Sequence, residues 1–573
     1  MIRTKVDDLA DMLKLGDLSM GEAAKRIDWP VENVDRVVRV LETHAIVDLT
    51  YPLNIAEDPV ISLKKKFPER QAQRPSAEWL ETYSVKSSNL ASSQVKIFWD
   101  GVQKRPAYFV ELPSVSEYTK AFFEYLQDEI AKSLPPEASG VVGSKKAEAT
   151  VDKFALISQH MKSELSPPEK DVAQLTGIIM RNMYGLSDID VLMADEWIEE
   201  IVINKGDEPI SIYHRKHGWM KTNIYLGGDD EIANLSSLIS RRAGRQISVL
   251  SPLLDAQLDT GDRVNATLAP ISSNGNTLTI RKFSRNPWTI VNLTYGANRV
   301  MSAEMAALIW QAVHYEMNLL IGGGTASGKT SVLNAVISLI PAHQRLVTIE
   351  DTRELLPASI QWNWIPLVSR SPNQEGKGEV TTLDLMVNSL RMRPDRIVLG
   401  EIRRKAEAEV LFEAMHTGHS VIATVHADTG TQLINRLTQP PIEIPPNELE
   451  AINLIVMQYS DRRINLRRTL ELSEVVPAQG KPDLNHIYIW RPRNDTHEFV
   501  KPPSRYFEQL NLHTGMIERE IMEDQRNKAK IIKWMNDWKC TDVDRIGALM
   551  KSYYADEESM LRAAEKNASP EKV

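Results

Sequence analysis

The chain has 573 residues, of which 42% are hydrophobic and 25% charged, with a net charge of −9. That length is too great for one core and predicts about three to five domains. The negative balance gives no overall basic field for nucleic acid or anionic lipid. Cys540 is the only cysteine, which excludes an intramolecular disulfide and any multi-cysteine zinc site and suits a reducing interior. The N-terminus, Met1 to Asp8, lacks the apolar core of a signal peptide, and no apolar run reaches the roughly 18 residues needed to span a bilayer. Membrane contact is expected through a partner or a surface.

Residues 1–52 read as three helices and a strand. Val6, Leu9 and Leu13 set one helical stripe, and Ser19 with Glu22 forms a capping box. Pro30 opens a third helix carrying Val34, Val37, Val38 and Leu41 on one face. Ala45 to Leu49 reads as a strand, giving the order of a winged helix. A DNA-reading module would load its third helix with cations. Here Glu32, Asp35 and Glu42 offset Arg36 and Arg39, so a protein-contact role is expected. Residues 53–147 read as a small α/β element and linker. Its strands are Val95–Trp99 and Ala107–Leu112, an amphipathic helix covers Tyr118–Leu134, and a Pro- and Gly-rich linker runs from Leu134 through Lys146. Residues 148–288 read as one α+β domain, with Ile201–Asn204 and Ile210–His214 pairing as strands across a turn. Asn286-Pro287-Trp288-Thr289 opens a hinge. Residues 289–480 and 481–573 follow as a nucleotide domain and a C-terminal strand with helices.

The strongest signal lies in the fourth segment. Leu319-Leu320-Ile321 feeds Gly322-Gly323-Gly324-Thr325-Ala326-Ser327-Gly328-Lys329-Thr330-Ser331, and an apolar helical pattern follows. Gly323 to Thr330 fits the P-loop template. Its glycines let backbone N–H groups turn inward on phosphates, and the helix N-terminus adds its positive end. Lys329 can reach the β- and γ-phosphates, and Thr330 can hold Mg²⁺. Gly323 through Ser331 are the expected contacts for a nucleoside triphosphate, with ATP and Mg²⁺ as the expected ligands.

Three apolar strands downstream end in polar groups. Arg345 to Ile349 delivers Glu350 and Asp351. Asp395 to Gly400 delivers Glu401 and then Arg403, a Walker B pattern. Ser420 to Val425 is bracketed by His419 and His426. In a parallel α/β sheet these ends gather at one place. Hydrolysis needs a metal beside the phosphates, an oriented water and cations for the developing charge. Glu350, Glu401, His426 and nearby arginines could supply these, with Thr330 and Glu401 as metal ligands. A strand-end Glu can also be a helix cap, and a strand-end His can be structural. His419 could orient the site, contact phosphate or pack. Glu375 to Glu379 reads as a mobile loop.

Taken together, 323–330, Thr348-Ile349-Glu350-Asp351-Thr352, Arg393 to Arg403 and Thr417 to Asp428 resemble the secretion ATPase superfamily. Its members are the motors of type II and type IV secretion, type IV pili and the archaellum. Tyr213 to Asn223 and Leu512-His513-Thr514-Gly515 are similar to its archaeal branch, and the missing cysteines argue against the tetracysteine zinc module usual in bacterial pilus-assembly members. The resemblance covers about 170–550. It implies an α/β fold with a RecA-like ATPase domain and a helical tail. Before these come a PAS-like α+β regulatory domain and a small winged-helix-like region. It also implies a homo-hexamer at the cytoplasmic face of the membrane, coupled to a polytopic platform protein, with no nucleic-acid partner. Glu350 is assigned to the attacking water and Glu401 to the Mg²⁺ shell, though the residues also allow the reverse. Arg263 and Arg281 match positions from which arginines reach a shared site. The competing readings are a nucleic-acid-translocating ATPase and a small-molecule kinase. A kinase needs a second substrate pocket and a lid, neither of which is identifiable in the sequence.

Overall fold

The apolar spacing read above predicts short N-terminal helices, a mixed region and a parallel sheet. The computed structural model describes residues 2–52, 58–67, 79–85, 93–133, 144–258, 260–283, 286–296, 299–372, 376–461, 463–464, 466–478 and 481–572. The fold is mixed α/β, and the chain divides into two units between Lys282 and Phe283.

In the first unit, helices Lys5–Leu13, Met20–Ile27 and Val31–Thr43 pack beside a three-stranded sheet ordered Leu18–Ser19, Val60–Leu63, Val47–Thr50. Ser19 caps the second helix by accepting from the Glu22 N–H at 3.2 Å. The apolar packing cuts across the boundaries read at 52 and 147. Val6, Val37 and Leu41 share one core with Phe122, Leu126, Ile157, Met161 and Ile179. The reason is area: a unit of about fifty residues buries a small share of its surface and is marginal by itself, and later helices complete the core. Both arginines of the third helix lie in ion pairs, Arg36 with Glu164 and Arg39 with Asp35. The linker read at 134–146 falls largely outside the described residues, and Ser144–Leu165 is helical.

A second three-stranded sheet, Trp79–Val85, Ser93–Asp100 and Arg105–Glu111, is antiparallel throughout. It shares a core with a six-stranded sheet ordered Leu253–Gln257, Arg263–Thr267, Thr277–Arg281, Ile198–Ile203, Pro209–His214, Gly218–Tyr225. The two sheets are tied by side chains. Asn223 Oδ1 accepts from the Val110 N–H at 2.8 Å, and its Nδ2 donates to the Val110 carbonyl at 3.0 Å. The hydroxyls of Tyr83 and Tyr108 donate to buried Asp195 at 2.7 and 2.8 Å.

In the second unit one nine-stranded sheet runs Trp364–Val368, Leu346–Glu350, Arg396–Ile402, Ser420–Val425, Leu319–Gly323, Leu454–Asp461, Leu466–Ala478, Lys481–Arg491, Thr496–Phe499. The first six strands are parallel and the last three return antiparallel. Leu319–Gly323, Leu346–Glu350 and Ser420–Val425 are buried along their whole length, as strands covered on both faces must be. The C-terminal region read as an extension shares the core of this unit. Helix Glu518–Asp537 packs on helix Ala303–His314. Between them Lys528, fully buried, pairs with Asp524 and lies 5.3 to 5.7 Å from the rings of Tyr553, Tyr315 and Trp310.

Candidate nucleotide-binding site

The glycine loop joins the buried strand Leu319–Gly323 to helix Lys329–Ile337. Two glycines carry its shape. A Cβ on Gly323 would stand 2.8 Å from the Gln458 carbonyl oxygen of the neighbouring strand. Gly328 precedes the helix with φ 95°, the left-handed region that suits glycine. Thr325 and Ala326 stand exposed at the tip, while Ser327 is buried and donates to the Gly324 carbonyl at 2.8 Å. The Lys329 ammonium folds into the loop and donates to the carbonyls of Gly323 and Gly324 at 2.8 and 3.0 Å. Burial lowers its pKa from the ordinary lysine value, opposed by the charges of Glu401, Asp428 and Glu354.

Sheet order places the three expected strands together on one side of the loop strand. His426 Nε2 lies 2.9 Å from Thr325 Oγ1 at the loop tip. Glu350 ends its strand almost fully buried. One of its oxygens accepts from the Glu354 and Leu355 N–H groups at 2.8 and 3.0 Å. The other is buried and accepts no hydrogen bond from the described residues. Burial pushes its pKa up to about 7 against the two backbone donors. Glu401 Oε2 accepts from Arg403 Nε at 2.9 Å and pairs with its Nη2 at 2.8 Å, while Nη1 of the same guanidinium pairs with Asp351. Asp351 in turn accepts from the Ser369 and Thr382 hydroxyls. Thr330 is half-buried at the start of the helix.

The remaining residues singled out in the sequence lie elsewhere. His419 immediately precedes the strand Ser420–Val425 that His426 follows, so the two lie at opposite ends of that strand. Its Nδ1 is 3.1 Å from Thr417 Oγ1 and 3.3 Å from the Ala414 carbonyl, a packing role away from the loop. Glu375 lies outside the described residues. Arg263, read as reaching a shared site, pairs with Asp255 across its own hairpin at 2.8 Å. Arg281 ends the strand paired with Ile198–Ile203. Two contributors were missed. Asn334 donates to the Thr330 and Glu354 carbonyls at 3.2 and 3.0 Å and accepts from the Leu356 N–H at 2.9 Å, tying the loop helix to the segment Glu350 holds. Arg467 donates to the Ala326 carbonyl at 3.2 Å. A polar residue in the apolar helix run was a signal for Asn334. Arg467 had none, because its strand lies 137 residues beyond the loop's Thr330 in the sequence.

The Gly323 cradle, the inward lysine and the unmatched carboxylate oxygen fit a polyphosphate with its cation. Among the described residues no group of three or more His, Cys, Asp or Glu could hold a metal by itself.

A glycine loop between a buried parallel strand and a helix, with acids on strands further along the same sheet, defines a P-loop α/β protein. Residues 199–466 match the model of the type II/IV secretion system protein family. The chain is 30% identical over 403 residues to an uncharacterized protein of Methanocaldococcus jannaschii, covering 69% of this chain and 71% of that one. It is 31% identical over 319 residues to the type IV secretion system protein PtlH of Bordetella pertussis, covering 52% of this chain and 90% of that one. The chain belongs to the type II/IV secretion system protein family. The Legionella pneumophila ATPase DotB, a solved structure, is 18% identical with a TM-score of 0.36, covering 73% of this chain and 98% of that one. The family assignment rests on the sequence relatives.

Proposed function

We propose that this protein is an ATP-hydrolysing hexameric motor of RecA-like fold. It powers type II/IV secretion or assembly of a type IV pilus-like or archaellum filament through a polytopic membrane platform protein at the cytoplasmic face. The reading is supported by the inward Lys329, the Thr325–His426 contact at the loop, and Glu350 and the Glu401–Arg403–Asp351 cluster near the C-terminal ends of parallel strands of the same sheet. Gly323 to Ser331 receive the phosphates, and Lys329 exchanges its two carbonyl partners for β- and γ-phosphate oxygens. Thr330 and Glu401 would hold Mg²⁺, which neutralises charge on the phosphates. Glu350, buried with one oxygen unmatched, accepts the proton of the attacking water. His426, held at the loop tip, faces the terminal phosphate. Arg403 holds Glu401 and Asp351 together and adds a second cation to Lys329 for charge developing in the transition state.

The six-stranded sheet supports the PAS-like reading of the regulatory domain, and the three helices with their small sheet support the winged-helix reading. The ion-paired arginines of the third helix favour a protein partner there. Arg263 and Arg281 stay candidates for a site shared between subunits, as the family resemblance implies. Among the described residues no helix is long and apolar enough to cross a membrane, so docking through a platform protein accounts for membrane work.

The test is ATP turnover by the wild-type chain and by Lys329→Ala, with circular dichroism as the check on folding, then with membranes carrying a platform protein and with DNA. The expected outcome is a folded variant without turnover and stimulation by the platform. Wild-type turnover in folded Lys329→Ala refutes the site, and stimulation by DNA alone refutes the secretion role.

A further inference from the structure

The nucleotide has two ends, and the strand order gives each a side. The strands bearing Glu350, Glu401 and His426 lie on one side of the loop strand Leu319–Gly323. Lys329, bonded to Gly323 and Gly324, marks the phosphate-transfer end. On the other side lie Leu454–Asp461 and the antiparallel Leu466–Ala478. A triphosphate whose γ-phosphate points to the acids must send its nucleoside half toward this second side.

Arg467 stands there. It is the second residue of its strand, and side chains alternate between faces. Arg468 turns inward, buried, and pairs with Asp495 at 2.6 Å. Arg463, in the preceding turn, pairs with Asp461 at 2.8 Å. Arg467 turns to the loop. Its Nε donates to the Ala326 carbonyl at 3.2 Å, and its Cδ lies 3.8 Å from where a Cβ of Gly328 would be. Ala326 has φ 62°, a left-handed conformation rare for a residue with a side chain. The stem therefore lies along the shoulder of the loop, with the guanidinium anchored at its tip.

We propose that Arg467 is a positioning residue for the nucleoside half of the bound nucleotide, its planar cation lying against the base. The inference rests on the P-loop reading of the same site. A guanidinium is suited to this work because it stacks on aromatic faces, and its planar fork is pre-organised. It acts on binding. Hydrolysis runs on the opposite side of the loop, so the chemical step proceeds without it.

Equilibrium binding of ADP and of inorganic tripolyphosphate to the full chain separates the two ends. In Arg467→Ala the Kd for ADP is expected to rise about tenfold, within the range of a partly desolvated cation–π contact. Tripolyphosphate binding stays within about twofold of wild type, and KM for ATP rises with kcat unchanged. Arg467→Gln, which keeps a donor for the Ala326 carbonyl, is expected to match Arg467→Ala. Wild-type ADP affinity in either variant overturns the proposal. Equal losses for ADP and tripolyphosphate overturn it too, since they assign Arg467 to the phosphates or to propping the loop. A wild-type chain that binds neither ligand refutes the P-loop reading itself, an outcome separate from both.

Discussion

Glu350 offers a measurement that needs no substrate. Its carboxyl has an ordinary pKa of 4.5, and burial raises it to about 7 in the fold. Between those values the folded state keeps a proton that the unfolded state has released. Stability is therefore fully present below about pH 4.5 and is lost as pH rises through about 7, levelling off above it. At about 1.4 kcal/mol per unit, a shift of this size is worth about 3 kcal/mol. Glu350→Gln retains an acceptor for the Glu354 and Leu355 N–H groups and cannot ionise. Thermal melts of both chains across pH 4.5 to 8 give a difference that cancels every other titrating group. The expected result is a variant that gains on wild type by about 3 kcal/mol across that range, all of it below pH 7.5. In turnover, wild type gains activity through an apparent pKa near 7 as the base ionises, and Glu350→Gln loses at least ~100-fold, the scale of a general base. A melting difference that does not change with pH refutes the burial argument, and normal turnover in Glu350→Gln refutes the catalytic one.

Lys528→Met leaves Asp524 buried without its cation, so it is expected to cost about 3–5 kcal/mol, with much of that recovered when Asp524 is replaced by Leu as well. Chemical denaturation of the single and double variants measures both. Chains carrying Arg263→Ala or Arg281→Ala are expected to bind nucleotide without turning it over alone, at a cost of about 10³ in rate. Mixing either with Lys329→Ala chains restores part of the activity if the arginine acts on a neighbour. Near wild-type rates for both arginine variants, independent of protein concentration, count against a shared site.

What could be read from the sequence followed short range and strict chemistry. The P-loop was legible because a glycine template, an apolar run and a helix are contiguous, and the secretion-family resemblance rested on four such contiguous pieces. The strand pair around 205–209 was visible in its alternation. Long-range packing was not legible. Three N-terminal helices look complete in sequence, yet Phe122, Met161 and Ile179 fill their core. The sheet grows past the loop through Leu466–Phe499 because of pairings that no local pattern encodes. Arg467 is invisible for the same reason. His419 and His426 look equivalent as brackets of one strand, but a parallel strand has one end at the site and one away from it.

Asn223 has a consequence for how such a chain is assembled over evolutionary time. A strand that recruits a neighbour by main-chain pairing commits its whole edge, and register then constrains both partners. Here the sheet of residues 79–111 is fastened to the edge strand Gly218–Tyr225 by one amide that imitates a peptide group. Two phenols on Asp195 add a second fastening. The six-stranded sheet owes none of its internal ladder to the attachment. Changing the upstream module therefore leaves the register of the six-stranded sheet alone and asks for matched changes in the junction side chains and the shared apolar core.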